Sequence, residues 1–169
     1  ETDIEEVDIE KNEETLPIYI RMNNEKIEGI ALPIAGKGLW STIFGYIALN
    51  PDTDSVLGIQ FYKHGETPGL GGEVEKKWFT DNFVNHPIEE SDGEVTYVPK
   101  KIRNDNGKII SISVIKGGVD YSKSNKSSIH QVDGISGATV TADGVSDFLL
   151  EDLLRYEKTL DKIRDYGTI

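Results

Sequence analysis

Seven apolar side chains near the end of the chain, Val145, Phe148, Leu149, Leu153, Tyr156, Leu160 and Ile163, recur at helical spacing, with Asp, Glu, Lys and Arg opposite them. The spacing predicts one long amphipathic helix from about residue 140 to about residue 164. A shorter middle helix is expected across residues 73–83. Most of the remainder reads as β structure. PIYIRM alternates apolar and polar positions, NNEK makes a turn, and IEGIALPI resumes the pattern. STIFGYIALN and SVLGIQFYKH flank Pro51-Asp52-Thr53-Asp54, which reads as an antiparallel hairpin. EVTYVPKKI and KIISISVIKG read as further strands, with turns at Asp92-Gly93 and Asn106-Gly107 and a polar loop over 120–128. The sum is an α+β fold: a mostly antiparallel sheet with a long C-terminal helix and a shorter middle one. Residues 1–15 carry Ile4, Val7 and Ile9 between acidic side chains. They read as a weakly ordered acidic lead-in, either a short helix or an edge strand, ahead of one domain over 16–169.

Charge and composition exclude several functions. The 169 residues hold 18 basic and 30 acidic side chains, a net charge of −12. Such a chain is repelled by phosphate backbones and anionic lipid surfaces, so no nucleic-acid partner is expected. Cysteine is absent, which removes disulfides, thiolate metal sites and Cys nucleophiles. His64, His86 and His130 are scattered without helical pairing, and no metal site is expected from them. No apolar run approaches the ~20 residues of a membrane span.

Three segments could carry chemistry. Asp133 to Thr141 (DGISGATVT) is built from Gly, Ala and hydroxylated residues and leads into the long helix. Small residues admit a ligand close to the backbone, and a helix start offers free N–H groups and the positive end of the macrodipole. This suits a phosphate; equally, Ser136, Thr139 or Thr141 could simply cap the helix. His64 to Gly72 (HGETPGLGG) places Pro-Gly where a type II turn wants it, with Thr67 and Leu70 as candidate contacts to a flat ligand. The same glycines could instead make a flexible connection. Gly36 to Ser41 (GKGLWS) sets an aromatic beside two glycines, so Trp40 is either a ring-stacking wall or a core residue. None of the three fits a Walker A or a dinucleotide fingerprint.

Taken together, GKGLWS, HGETPGLGGE and SGATVT, in this order, resemble the FMN-binding domain of respiratory flavoproteins. Over about residues 16–160 the chain is similar to the family of the C subunit of the sodium-translocating NADH:quinone reductase, with the G subunit of the Rnf complex as a close relative. The Gly-x-Gly-Leu-Trp segment favours the former. The resemblance implies FMN held covalently, by a phosphoester to Thr139, and installed by a separate flavin transferase that uses FAD. It implies that Ser136, Gly137, Ala138, Val140 and Thr141 surround the attachment point. Trp40, Glu66, Thr67 and Leu70 would line the isoalloxazine, with Lys116 near the ring or the phosphate.

The implied role is an electron-transfer subunit, with no general acid or base, working beside the other subunits of a sodium-pumping NADH:quinone oxidoreductase. Its family places the domain on the outer, periplasmic face of the bacterial inner membrane, anchored by an N-terminal transmembrane helix that this sequence does not contain. Residues 1–169 are accordingly expected to be the soluble part. Residues 85–104 are longer and more charged than the resemblance leads one to expect and read as a surface insertion. Two other readings fit the same residues: an Rnf G subunit, and a non-redox extracytoplasmic module that binds a phosphorylated ligand.

Overall fold

Alternation of apolar and polar residues from Leu16 onward builds the sheet. The computed structural model describes residues 4–11, 14–89, 94–122 and 126–166. Five antiparallel strands lie in sequence order: β1 (Ile4–Lys11), β2 (Glu14–Asn23), β3 (Lys26–Lys37), β4 (Thr42–Leu49) and β5 (Val56–Lys63). The acidic lead-in thus contributes an edge strand, paired with β2 from Ile4↔Arg21 to Lys11↔Glu14. Between β4 and β5 the expected turn forms as Asn50 N–H bonds the Ser55 carbonyl at 2.8 Å. The Asp52 carboxylate secures it by accepting the Asp54 and Ser55 amides at 2.9 and 2.8 Å.

One face of this sheet carries the core. Ile18, Ile30, Leu32, Ile34, Ile43, Ile47, Leu49 and Phe61 are buried there. Helix α2 (Thr139–Tyr166) packs against β3, one residue longer at its start than the spacing predicts and two longer at its end. Val145, Phe148, Leu149, Leu153, Tyr156 and Leu160 are buried and Ile163 half-buried, as the apolar stripe requires. Burying a side chain of this size stabilises by about 1.5–3 kcal/mol relative to exposure, so the stripe fixes the helix on the sheet. Polar ties set its register. Tyr156 donates to the Pro17 carbonyl at 2.9 Å, and the Asp152 carboxylate accepts the Ala35 amide at 2.7 Å. The crossing is close. A Cβ on Gly144 would stand 2.2 Å from the Lys37 carbonyl oxygen, and one on Gly36 2.1 Å from Phe148 Cβ.

The middle helix forms in three pieces. A 3-10 turn (Gly71–Glu75) is followed by helix α1 (Lys77–Thr80) and a second 3-10 turn (Asp81–Phe83). Val74, Phe79 and Phe83 are all fully buried. The first two are five residues apart, which on a continuous helix would point them well away from a common stripe. An extended Lys76 (φ −77, ψ 142) breaks the helix and resets the phase.

Residues after α1 depart further from the expected strands. β6 (Asn85–Glu89) and β7 (Val95–Pro99) form a two-stranded hairpin, and the turn expected at Asp92-Gly93 lies outside the described residues. The surface-insertion reading holds only in part. Val95 and Tyr97 are exposed, but Lys100, Ile102 and Arg103 are buried. Lys100 Nζ donates to the carbonyls of Ser128 and Gln131, Arg103 Nε and Nη1 donate to those of Thr53 and Gly107, and Arg103 Nη2 pairs with the Asp161 carboxylate at 3.0 Å. The strand expected over KIISISVIKG shortens to β8 (Ser113–Ile115), because Ser111 takes a positive φ of 66° and the chain curls onto the Ile102 carbonyl. β8 pairs in parallel with β9 (Gln131–Asp133), which feeds directly into the turn before α2.

Candidate functional site

All three glycine-bearing segments converge on the start of α2. The first closes the β3–β4 hairpin, with Gly38 N–H bonded to the Ser41 carbonyl at 2.8 Å. The second leaves β5 and makes the predicted Pro-Gly turn: Leu70 N–H bonds the Thr67 carbonyl at 3.1 Å, and Gly69 has φ +75. In the third, Ile135 to Ala138 form a turn in which Gly137 has φ +75, a conformation glycine adopts without cost. A Cβ at Gly137 would also press on Leu70 Cδ2 at 2.9 Å, so this position brings the second and third segments together.

At the centre of the three lies Glu66, 5% exposed. Its Oε1 accepts the backbone amides of Trp40 (2.9 Å) and Ser41 (3.0 Å) and the Ser41 hydroxyl (3.2 Å). Its Oε2 accepts the Leu39 amide (3.2 Å) and the Thr141 hydroxyl (2.7 Å). Burial pushes the carboxyl pKa up, but the hydrogen bonds from Thr141, Trp40, Ser41 and Leu39 outweigh it and hold it below the ordinary range. The resemblance puts Glu66 against the ring. Both its oxygens are engaged by protein donors, and the side chain lines the small groove beside Trp40 and Leu70. Thr141, 1% exposed, is likewise turned inward onto Glu66.

What faces outward forms two adjoining recesses that share Gly137. One is a small groove lined by Leu39, Trp40, Thr67, Leu70, Ala138 and the buried Glu66–Thr141 pair. Trp40 is 71% exposed and Leu70 43%, so Trp40 belongs to a surface wall and not to the core. The other is a cleft of about 300 Å³ lined by Ile115, Lys116, Ser136, Thr139, Ala142 and Asp143 among others. Thr139 is exposed at its rim as the first residue of α2, where the leading amides of a helix have no intrahelical acceptor. The first helical bond at this end runs from Ala142 N–H to the Ala138 carbonyl. Ser136 is exposed in the turn, Ala138 is buried beneath it, and Val140 is 55% exposed on the helix. The structure therefore brings every expected residue to one end of the molecule, including Lys116.

Sequence reasoning missed Leu39, Ser41 and Asp143. Asp143 is legible in retrospect, since it follows Thr139 by four positions and so shares its helix face. Ser41 stands in the GKGLWS motif, but its double role is invisible there. Its hydroxyl donates to Glu66 and accepts the Gly65 amide at 2.7 Å.

These residues fit a phosphorylated flavin. A free hydroxyl, helix amides and a lysine meet at the cleft, and an aromatic and aliphatic wall adjoins it. The fold and site are those of a flavin-binding domain. A family model described as FMN-binding domain matches residues 38–151, and the chain belongs to that family. It is 39% identical over 153 residues to the C subunit of the Na(+)-translocating NADH-quinone reductase of Vibrio vulnificus, covering 89% of this chain and 52% of that protein. It is 36% identical over 141 residues to the same-named subunit of Pseudomonas aeruginosa, covering 83% and 48%. The solved structure of the C subunit of the Na(+)-translocating NADH-quinone reductase from Parabacteroides distasonis superposes with a TM-score of 0.68 at 31% identity, over 86% of this chain and 63% of that one. The chain spans about half the length of the curated relatives it matches.

Proposed function

We propose that this chain is the FMN-carrying, electron-transferring part of the C subunit of a membrane-bound, sodium-pumping NADH:quinone oxidoreductase, with the flavin esterified to Thr139. The observation that carries the reading is Thr139 itself. Its hydroxyl is exposed on the first residue of the helix, on the rim of the cleft and next to the groove. The names of the relatives supply the complex, and they favour the C subunit over the Rnf G subunit and over a non-redox module.

FMN, when bound, supplies reversible electron transfer through its ring. The chain's own residues hold and tune it. Thr139 Oγ carries the phosphoester, and the first-turn amides of α2 and the Lys116 ammonium offset the remaining negative charge. Gly137, shared by the two recesses, would admit the cofactor close to the backbone, and Trp40, Leu70 and Thr67 would present a wall to its ring. Ser136, Ala138 and Val140 shape the approach to Thr139. Covalent attachment keeps the cofactor through changes of its charge that a non-covalent site would answer with different affinities. A flavin transferase using FAD matures the chain, and the other subunits deliver and collect the electrons on the outer face of the inner membrane. No described helix is long and apolar enough to cross a membrane.

Tandem mass spectrometry tests this directly. After coexpression with an active flavin transferase, the peptide containing Thr139 should carry one FMN moiety, and Thr139→Ala should carry none. A wild-type peptide that stays bare, or a flavin that persists on Thr139→Ala, refutes the assignment.

A further inference from the structure

We propose that Glu66 is the positioning residue of this site: through its two carboxylate oxygens it locks the Trp40 wall onto the first turn of α2, so that the groove and the Thr139 segment move as one body. The functional meaning rests on the flavin reading above. The lock itself rests on contacts alone.

Five donors converge on one side chain, and they come from two separate parts of the fold. Four belong to the β3–β4 loop: three successive backbone amides, Leu39 to Ser41, and the Ser41 hydroxyl. The fifth is Thr141, in the first turn of α2 and 75 positions further along than Glu66. Without the carboxylate, three consecutive loop amides would have to find other acceptors, since the hairpin closure uses only Gly38 N–H and the Ser41 carbonyl. The carboxylate fills space that only glycine leaves open. A Cβ on Gly38 would lie 2.7 Å from Oε1, and one on Gly71 2.7 Å from Oε2 and 2.6 Å from Thr141 Oγ1. The glycines of the first two motifs thus serve Glu66 by making room for it. Two further bonds steady its own strand end: Gly65 N–H to Ser41 Oγ, and Glu66 N–H to His64 Nδ1 at 3.2 Å.

An amide cannot replace this acceptor. With the oxygen of a glutamine facing Trp40 and Ser41, its NH2 meets the Leu39 N–H donor to donor. Reversed, it meets two amides instead of one. Thr141 can turn its hydroxyl to accept, but the Leu39 amide cannot.

The test is amide hydrogen exchange on the folded, flavin-free chain. In Glu66→Gln and in Thr141→Val, exchange at Leu39, Trp40 and Ser41 should accelerate roughly tenfold or more, while amides in the middle of α2 keep wild-type rates. Thr141→Ser restores the hydroxyl and should return the loop to near wild-type protection. The Thr141 pair decides the matter if Glu66→Gln does not fold. In flavin-loaded chains the same two variants should raise the mobility of the flavin, read as lower fluorescence anisotropy, with Thr139 still modified. Unchanged loop exchange in Thr141→Val overturns the lock, and so does a Thr141→Ser chain that exchanges like Thr141→Val. A bare Thr139 would sink the flavin reading and leave the exchange result standing, so the two failures are told apart.

Discussion

Two side chains carry opposite duties at the start of α2. Thr139 is exposed, whereas Glu66 is sealed among the donors that bond it. For Glu66 the consequence is a pH dependence of defined sign. Its native pKa lies below the ordinary 4.5, so the folded chain keeps this charge where the unfolded chain has already taken up a proton. The stabilisation is complete above the ordinary carboxylate range and is lost as pH falls through the lower native value. Urea midpoints of wild type and Glu66→Gln should therefore differ at pH 7 and converge toward acid; a gap that ignores pH would show that the charge contributes nothing. Trp40 makes the complementary case. With most of its surface in solvent, Trp40→Ala should change folding stability by no more than about 0.5 kcal/mol. It should nonetheless alter the fluorescence or midpoint potential of the attached flavin. If neither flavin property moves, the indole does not face the ring.

Among the elements, α2 shows how far periodicity reaches. The seven apolar positions picked out by spacing specified helix and buried face alike, and all seven lie inward, while Val140, Leu150 and Leu154 are exposed. The middle helix shows where periodicity stops: Val74 and Phe79 must both be buried, and the break at Lys76 that allows this has no local sequence signal. Lys100 and Arg103 were illegible for a related reason. A run of basic residues reads as surface, and only the fold supplies the carbonyls of Ser128, Gln131 and Thr53 that let them turn inward. Burial also lowers the Lys100 pKa to about 8, against the opposing pull of Asp133. Where α2 crosses β3, intrinsic propensity and packing oppose each other. Replacing a mid-helix glycine by alanine ordinarily stabilises by about 1 kcal/mol. At Gly144 the new methyl would sit 2.2 Å from a backbone oxygen, so Gly144→Ala should destabilise by about 1–3 kcal/mol in urea unfolding. A stabilised variant would show that helix and strand have room to part.

For the molecule as a whole, the excess of acidic residues acts over all of it. A net charge of −12 on a small domain repels itself, and salt screens that repulsion. Raising NaCl from about 10 to about 200 mM, which shortens the screening length from about 30 Å to below 10 Å, should raise the urea midpoint. A midpoint that falls would mean that specific ion pairs outweigh the net charge. The three site motifs were legible one by one, since each is a local pattern of small and turn-forming residues. Their meeting was expected through the resemblance alone, because the residues by themselves do not say how β3, β5 and α2 cross. The partner of Glu66 is therefore a fact about the folded molecule, and no inspection of HGETPGLGG reveals it.

The separation of 75 positions between Glu66 and Thr141 also orders events in time. The ribosome must release α2, and α2 must dock, before Thr139 and the walls beside it stand together. On the proposed reading, a flavin transferase that recognises the assembled surface would pass over nascent and misfolded chains. The yellow fraction of a preparation would then be a census of the molecules that completed their folding.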